Sequence, residues 1–156
     1  MRKALKFFHT LASCGLIGAL LGYLIVLLYA PQDSARSYAE ARQTISALCN
    51  YLLLPSLAIA LFTGLFAMAV HQPFQAQRWA WLKAVLGLSM FEATLGIIES
   101  KANTAATLSA RIAAGEAEVE ALASTLANEW LSLGVILTLS TAHVVLGVWR
   151  PRLSKH

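Results

Sequence analysis

The stretch FFHTLASCGLIGALLGYLIVLLY, Phe7 to Tyr29, carries no lysine, arginine, aspartate or glutamate. A bilayer core about 30 Å thick is crossed by about 20 apolar residues in helical form. Three further stretches reach that length, over residues 47–70, 79–98 and 130–149. Hydrocarbon offers the backbone no hydrogen-bonding partner, so each segment must satisfy its own N–H and C=O groups, and a helix does so. The alternating ten-residue segments of a membrane barrel do not occur. The expected fold is an all-α membrane protein, one domain over residues 1–156 built as a four-helix transmembrane bundle. Pro55 removes one backbone donor from the second span and is expected to kink it.

Composition agrees with lipid as the main solvent. The chain is 58% hydrophobic and 13% charged, against about 25% charged residues in a soluble domain. The net charge of +4 does not mark a nucleic-acid protein, because the basic residues edge the apolar runs instead of forming one patch. Cys14 and Cys49 have neither CxxC nor metal-ligand spacing and read as packed thiols. MRKALK followed by apolar residues has the look of a leader, and LASC at residues 11–14 that of a lipoprotein box. The apolar run outlasts a signal-peptide core, however, and is strongest after the cysteine, so a retained first span is expected.

Arg2, Lys3, Lys6, Arg78, Arg150, Arg152 and Lys155 collect at one end of such a bundle. Arg36, Arg42, Lys101 and Arg111 lie in the connections at the other. This bias places both termini on the cytoplasmic side of a bacterial inner membrane. Trp79, Trp81 and Trp149 then mark one interface, and Trp130 with Tyr29 the other. The connection before the last span, residues 100–129, is rich in Ala, Glu and Leu. It reads as a helical hairpin outside the membrane, broken near Gly115 and extending the third and fourth spans, with Glu116, Glu118 and Glu120 on a solvated face.

Ionisable residues inside a span are costly and are functional candidates by default. They are His9, Lys83, Glu92 and His143. At 1.5 Å per helical residue, His9 lies about 4 Å, Lys83 about 6 Å and His143 about 10 Å from the cytoplasmic boundary, in one layer, and Glu92 about 20 Å. His9 and Lys83 are shallow enough to serve as interfacial groups, and His71 is interfacial too. His143 shares a small, polar face with Ser140 and Gly147. Glu92 must be neutral or find partners at its own level, with Tyr23, Ser56 and Thr138 in reach by depth. Cys14, Gly18 and Gly22 form a close-packing stripe on the first span, and the chain could dimerise through it.

Two histidines on different membrane helices suit haem b, with the iron held by His9 and His143 and with Lys83 on a propionate or as an axial ligand. Copper is the competitor, drawing on Met68, Met90 or Cys14, whose sulfurs are scattered in depth. No nucleotide-binding or zinc-protease motif occurs, and Asp33, the one aspartate, lies in a connection.

The first-span histidine in KFFHTLASCGLIG, Trp79 and Lys83 four residues apart, Asn128-Glu129 before the last span and the exit Arg150-Pro151 carry a resemblance. The chain resembles the superfamily of HemJ-type protoporphyrinogen oxidases and the membrane domain of copper-resistance protein D. The long hairpin is most like a third family of that group, described only as predicted integral membrane proteins. For HemJ-type proteins the resemblance implies haem b on the first-span histidine and oxidation of protoporphyrinogen IX, and it nominates His9 and Lys83. The chain departs from those oxidases in having Glu92 about where a third-span histidine belongs and Trp130 in place of a proline after Asn128-Glu129.

Three functions follow as expectations. The first is a membrane protein with a redox or porphyrin-handling role, an oxidoreductase if it is an enzyme, with a porphyrin or quinone as partner and Lys83 and Glu92 as catalytic candidates. The second is a non-enzymatic scaffold in a homodimer or larger membrane complex, acting through its hairpin. The third is a small-solute or metal permease with Glu92 as the proton-coupling group.

Overall fold

A computed structural model describes residues 2–31, 33–70 and 77–149. All regular structure among them is helical, and four helices are long and apolar enough to cross a membrane. They are α1 (Arg2–Leu28), α2 (Ala35–Leu48) running into α3 (Leu54–Val70), α4 (Arg78–Ala93) running into α5 (Ser100–Ala113), and α6 (Glu120–Trp149). His71, Arg150, Pro151, Arg152 and Lys155 lie outside the described residues.

The spans are longer than their apolar cores. Residues 35–70 form one rod of 36 residues, as do residues 78–113. At 1.5 Å per residue each measures about 54 Å, well beyond a bilayer core of about 30 Å. The segment taken as a connection before residue 47 is therefore helix α2. Its N-cap is Ser34, whose hydroxyl accepts from the Ser37 N–H. Ala39, Arg42 and Ile45 recur every three residues and are buried, which makes α2 amphipathic. A search for unbroken apolar runs passes over such a helix. The expected hairpin is present. Helix α5 ends in a Schellman motif, with the Gly115 N–H bonded to the Ile112 carbonyl and the Glu116 N–H to that of Arg111. Gly115 holds φ at +75°, a conformation that Cβ penalises. Gly115→Ala is expected to cost about 1 kcal/mol in an unfolding titration of the purified protein.

Each rod contains a π-helical turn, at Cys49–Leu53 and Thr94–Glu99. The first precedes Pro55, which has no N–H for the carbonyl of Tyr51 and crowds it. The chain opens to an i→i−5 bond, from the Leu54 N–H to the Cys49 carbonyl. The kink expected at Pro55 thus takes the form of a widened turn.

Close packing runs from α1 to α3, α3 to α4 and α4 to α6, and α2 lies along α5. The α2–α5 contact buries Ala39, Ala102, Ala105 and Ala106, whose small side chains let the backbones approach. Ser46 donates to the Asn103 side-chain carbonyl at 2.5 Å and Asn50 to the same oxygen at 3.0 Å, tying the two rods together. The core joins Leu16, Ala19, Leu20 and Tyr23 of α1 to Ile45, Leu53 and Leu57 of the second rod, with Met90 of α4 and Leu133 and Ile136 of α6.

Of the stripe of Cys14, Gly18 and Gly22, Gly22 packs against Leu48, where an added Cβ would stand 3.6 Å from Cδ1, while the other two positions do not. Cys14 is exposed, and a Cβ added at Gly18 would meet nothing within 4 Å. The close approach on α1 is at Gly15 instead, where an added Cβ would stand 2.6 Å from the Ser56 hydroxyl. Residue sizes alone do not distinguish the two, because what each glycine meets depends on which side chains the neighbouring helix presents at its level.

Candidate functional site

The fold brings His9, Lys83 and His143 together at the end of the bundle that carries the start of α1 and the end of α6. The three side chains lie within Coulombic reach of one another. Each is seated on a glycine of a neighbouring helix. The His9 ring lies against Gly64 of α3, where an added Cβ would stand 3.3 Å from Cε1. A Cβ added at Gly87 of α4 would stand 3.5 Å from His143 Cε1, and one added at Gly147 of α6 would stand 2.7 Å from the Lys83 ammonium. The α4–α6 pairing is reciprocal. Lys83 and Gly87 are four residues apart on one helix, and His143 and Gly147 on its antiparallel neighbour. Each helix thus inserts its polar side chain where the other has no Cβ.

Hydrogen bonding orients the first histidine. His9 Nδ1 is 2.9 Å from the Ala60 carbonyl oxygen and 3.1 Å from the Thr63 hydroxyl. The Thr63 hydroxyl gives its own proton to the Ile59 carbonyl at 2.6 Å. Both atoms facing the ring therefore accept, and Nδ1 carries the proton. In the neutral ring this leaves Nε2 with its lone pair, the arrangement usual for a histidine that ligates metal. His143 differs, since its Nδ1 is buried without a hydrogen-bond partner, as is the hydroxyl of Ser140 one turn earlier. A buried polar atom left unpaired is rare enough to call for a reason.

Glu92 does not join this layer. It faces outward and is exposed. Ser56 faces Gly15, Thr138 donates to the Gly134 carbonyl, and Tyr23 donates to Glu129. Depth along a helix follows from counting residues, whereas facing depends on which neighbours pack where. The permease reading thereby loses a carboxyl inside the bundle. Among the described residues no three His, Cys, Asp or Glu side chains converge as a metal site.

A second polar cluster lies at the opposite end and was not anticipated. Arg42 and Glu129 form an ion pair with exposures of 0% and 2%. Arg42 Nη2 donates to both Glu129 carboxylate oxygens at 2.8 Å, and the Tyr23 hydroxyl donates to Oε1. The cluster joins α1, α2 and α6. Arg42 Nε and Nη1 remain buried without partners. Arg42 reads in the sequence as one of the charges that set orientation. The available signals were Ala39, Arg42 and Ile45 on one helical face, and Glu129 directly before the last apolar run.

The family described as "Predicted integral membrane protein (DUF2269)" matches residues 3–151. No curated protein and no solved structure matches the chain.

Proposed function

This chain belongs to the DUF2269 family of predicted integral membrane proteins, and from that premise we propose that it binds haem b between His9 and His143. In this reading both termini face the cytoplasm of a bacterial cell whose inner membrane holds the protein, as the basic residues near them favour. The observation that carries it is the meeting of His9, Lys83 and His143 in one layer, with a buried ring nitrogen of His143 unpaired.

The residues present suit the group. His9 is held by Ala60 and Thr63 with Nε2 as its free donor, and His143 offers a second ring nitrogen. Lys83 supplies the cation for a propionate. Helices α1 and α6 meet through Tyr23 and Glu129 at the opposite end of the bundle, and a flat ligand held by His9 and His143 would lie between these two helices at this end. Haem bound there supplies one-electron chemistry at its iron. The chain's own residues orient the ligating nitrogen through Ala60, neutralise a carboxylate through Lys83, and keep lipid and water from the layer through the packed faces of α3 and α4. The resemblance of His9, Trp79 and Lys83 to the HemJ-type pattern supports the same reading.

Protein purified from cells supplied with a haem precursor is expected to show a Soret band that shifts on reduction with dithionite. His9→Ala and His143→Ala should each lower haem affinity by at least about tenfold. Lys83→Gln should weaken binding while leaving the spectrum of the retained haem unchanged. A wild-type protein that stays colourless after such expression would overturn the proposal.

A further inference from the structure

Glu92 is the ionisable side chain of the spans that the fold turns outward. Gly87 rests against Leu61 of α3 and His143 of α6. Five residues further along α4, and five back along its two antiparallel neighbours, place Glu92 level with Ser56 and Thr138. That is well inside the apolar lengths, about 20 Å from the cytoplasmic boundary by residue count. Trp81, Val85, Leu88 and Leu95 share its exposed face, which is the face of a helix meeting lipid tails. The Glu92 carboxyl meets no hydrogen-bonding group among the described residues. Ser89 and Gly96, one turn to either side, are exposed on the same face, and a Cβ added at Gly96 would meet nothing within 4 Å.

A carboxyl this deep in a bilayer, on a face of apolar side chains and without a hydrogen-bonding partner, is costly. We propose that this face of α4 is a homodimer interface within the membrane, with the Glu92 carboxyls of two copies hydrogen-bonded across a two-fold axis. The occupant follows from the chemistry. Two copies inserted in the same orientation are related by an axis along the membrane normal, which brings residues of equal depth together. A carboxylic acid is complementary to itself, each O–H donating to the other's C=O. A second copy therefore presents the needed group at the needed depth. Ser89 and Gly96 have the small size that lets two helix backbones approach. This face lies on a different helix from the Cys14 and Gly18 stripe, so the two modes of pairing can be told apart.

The test uses the full-length protein in phosphatidylcholine vesicles, in a Cys14→Ser, Cys49→Ser background. Ser89→Cys is expected to give disulfide-linked dimers on mild oxidation, and Val135→Cys on the exposed face of α6 is not. By concentration-dependent energy transfer between labelled copies, Glu92→Leu and Gly96→Leu should each weaken dimerisation by about tenfold. Glu92→Gln should stay within about threefold of wild type, because a carboxamide also pairs with itself. Circular dichroism should be the same for all, since neither side chain supports the monomer's packing. Monomers at every protein-to-lipid ratio would overturn the proposal. So would undiminished dimerisation of Glu92→Leu, or cross-linking through Cys14 of the otherwise wild-type chain with none through Ser89→Cys.

Discussion

Replacing Glu129 with leucine is expected to destabilise the protein by about 3–5 kcal/mol, the usual cost of leaving one partner of a buried ion pair uncompensated. The Arg42 guanidinium is fully buried, and both hydrogen bonds recorded for it end on Glu129. Without that carboxylate it becomes a buried charge with no acceptor, and the Tyr23 hydroxyl loses its acceptor as well. Arg42→Met alone should cost a similar amount, because it strands Glu129. The double variant Arg42→Met, Glu129→Leu removes both charges, fills a similar volume and should recover most of the loss. Tyr23→Phe deletes one hydrogen bond and should cost about 1–3 kcal/mol. Unfolding of the purified protein in mixed micelles measures all four. A single-variant loss below about 1 kcal/mol would show that the pair is not desolvated as the fold implies.

Gly87→Leu is expected to cost about 3 kcal/mol, at the upper end for overpacking a filled interior. Gly87→Ala should stay within about 1 kcal/mol of wild type. The contrast follows from the space available. An added Cβ would stand 3.4 Å from Leu61 Cδ1 and 3.5 Å from His143 Cε1. Both are ordinary contacts, and alanine favours the helix more than glycine does. Leucine has three more carbons, and they would have to enter the volume held by the His143 ring and Leu61. The variant should therefore also displace His143 and reduce haem affinity, whereas Gly87→Ala should keep it. Unfolding titrations paired with haem titrations separate the two effects. Equal stability of the leucine and alanine variants would mean that α4 and α6 pack more loosely at His143 than the structure has them.

Residue spacing along the chain foretells some parts of this molecule and not others, for identifiable reasons. The layer of His9, Lys83 and His143 was legible because spans anchored at one interface turn residue counts into depths. The turn at Gly115 was legible because a positive φ after an alanine-rich helix favours glycine. Helix α2 was not legible as part of a span, since its residues alternate between lipid-compatible and water-compatible character. Glu92 and Glu129 show the limit most directly. Both carboxyls lie on or beside an apolar run, and the sequence singles out Glu92 because it is deeper. The fold turns Glu92 outward and buries Glu129, because facing depends on which side of each helix its neighbours occupy.

What the sequence by itself determined is the membrane class of the protein, the number of its spans and its hairpin. These are one-dimensional properties, set by the thickness of hydrocarbon, the rise of a helix and the backbone's need for internal hydrogen bonds. Only the tertiary structure decided which groups share an environment. Arg42 meets Glu129 and Tyr23 across three helices, and His143 is seated on Gly87 while Lys83 is seated on Gly147. Such pairings depend on the rotation of each helix about its own axis, which is chosen by the packing of all the helices together.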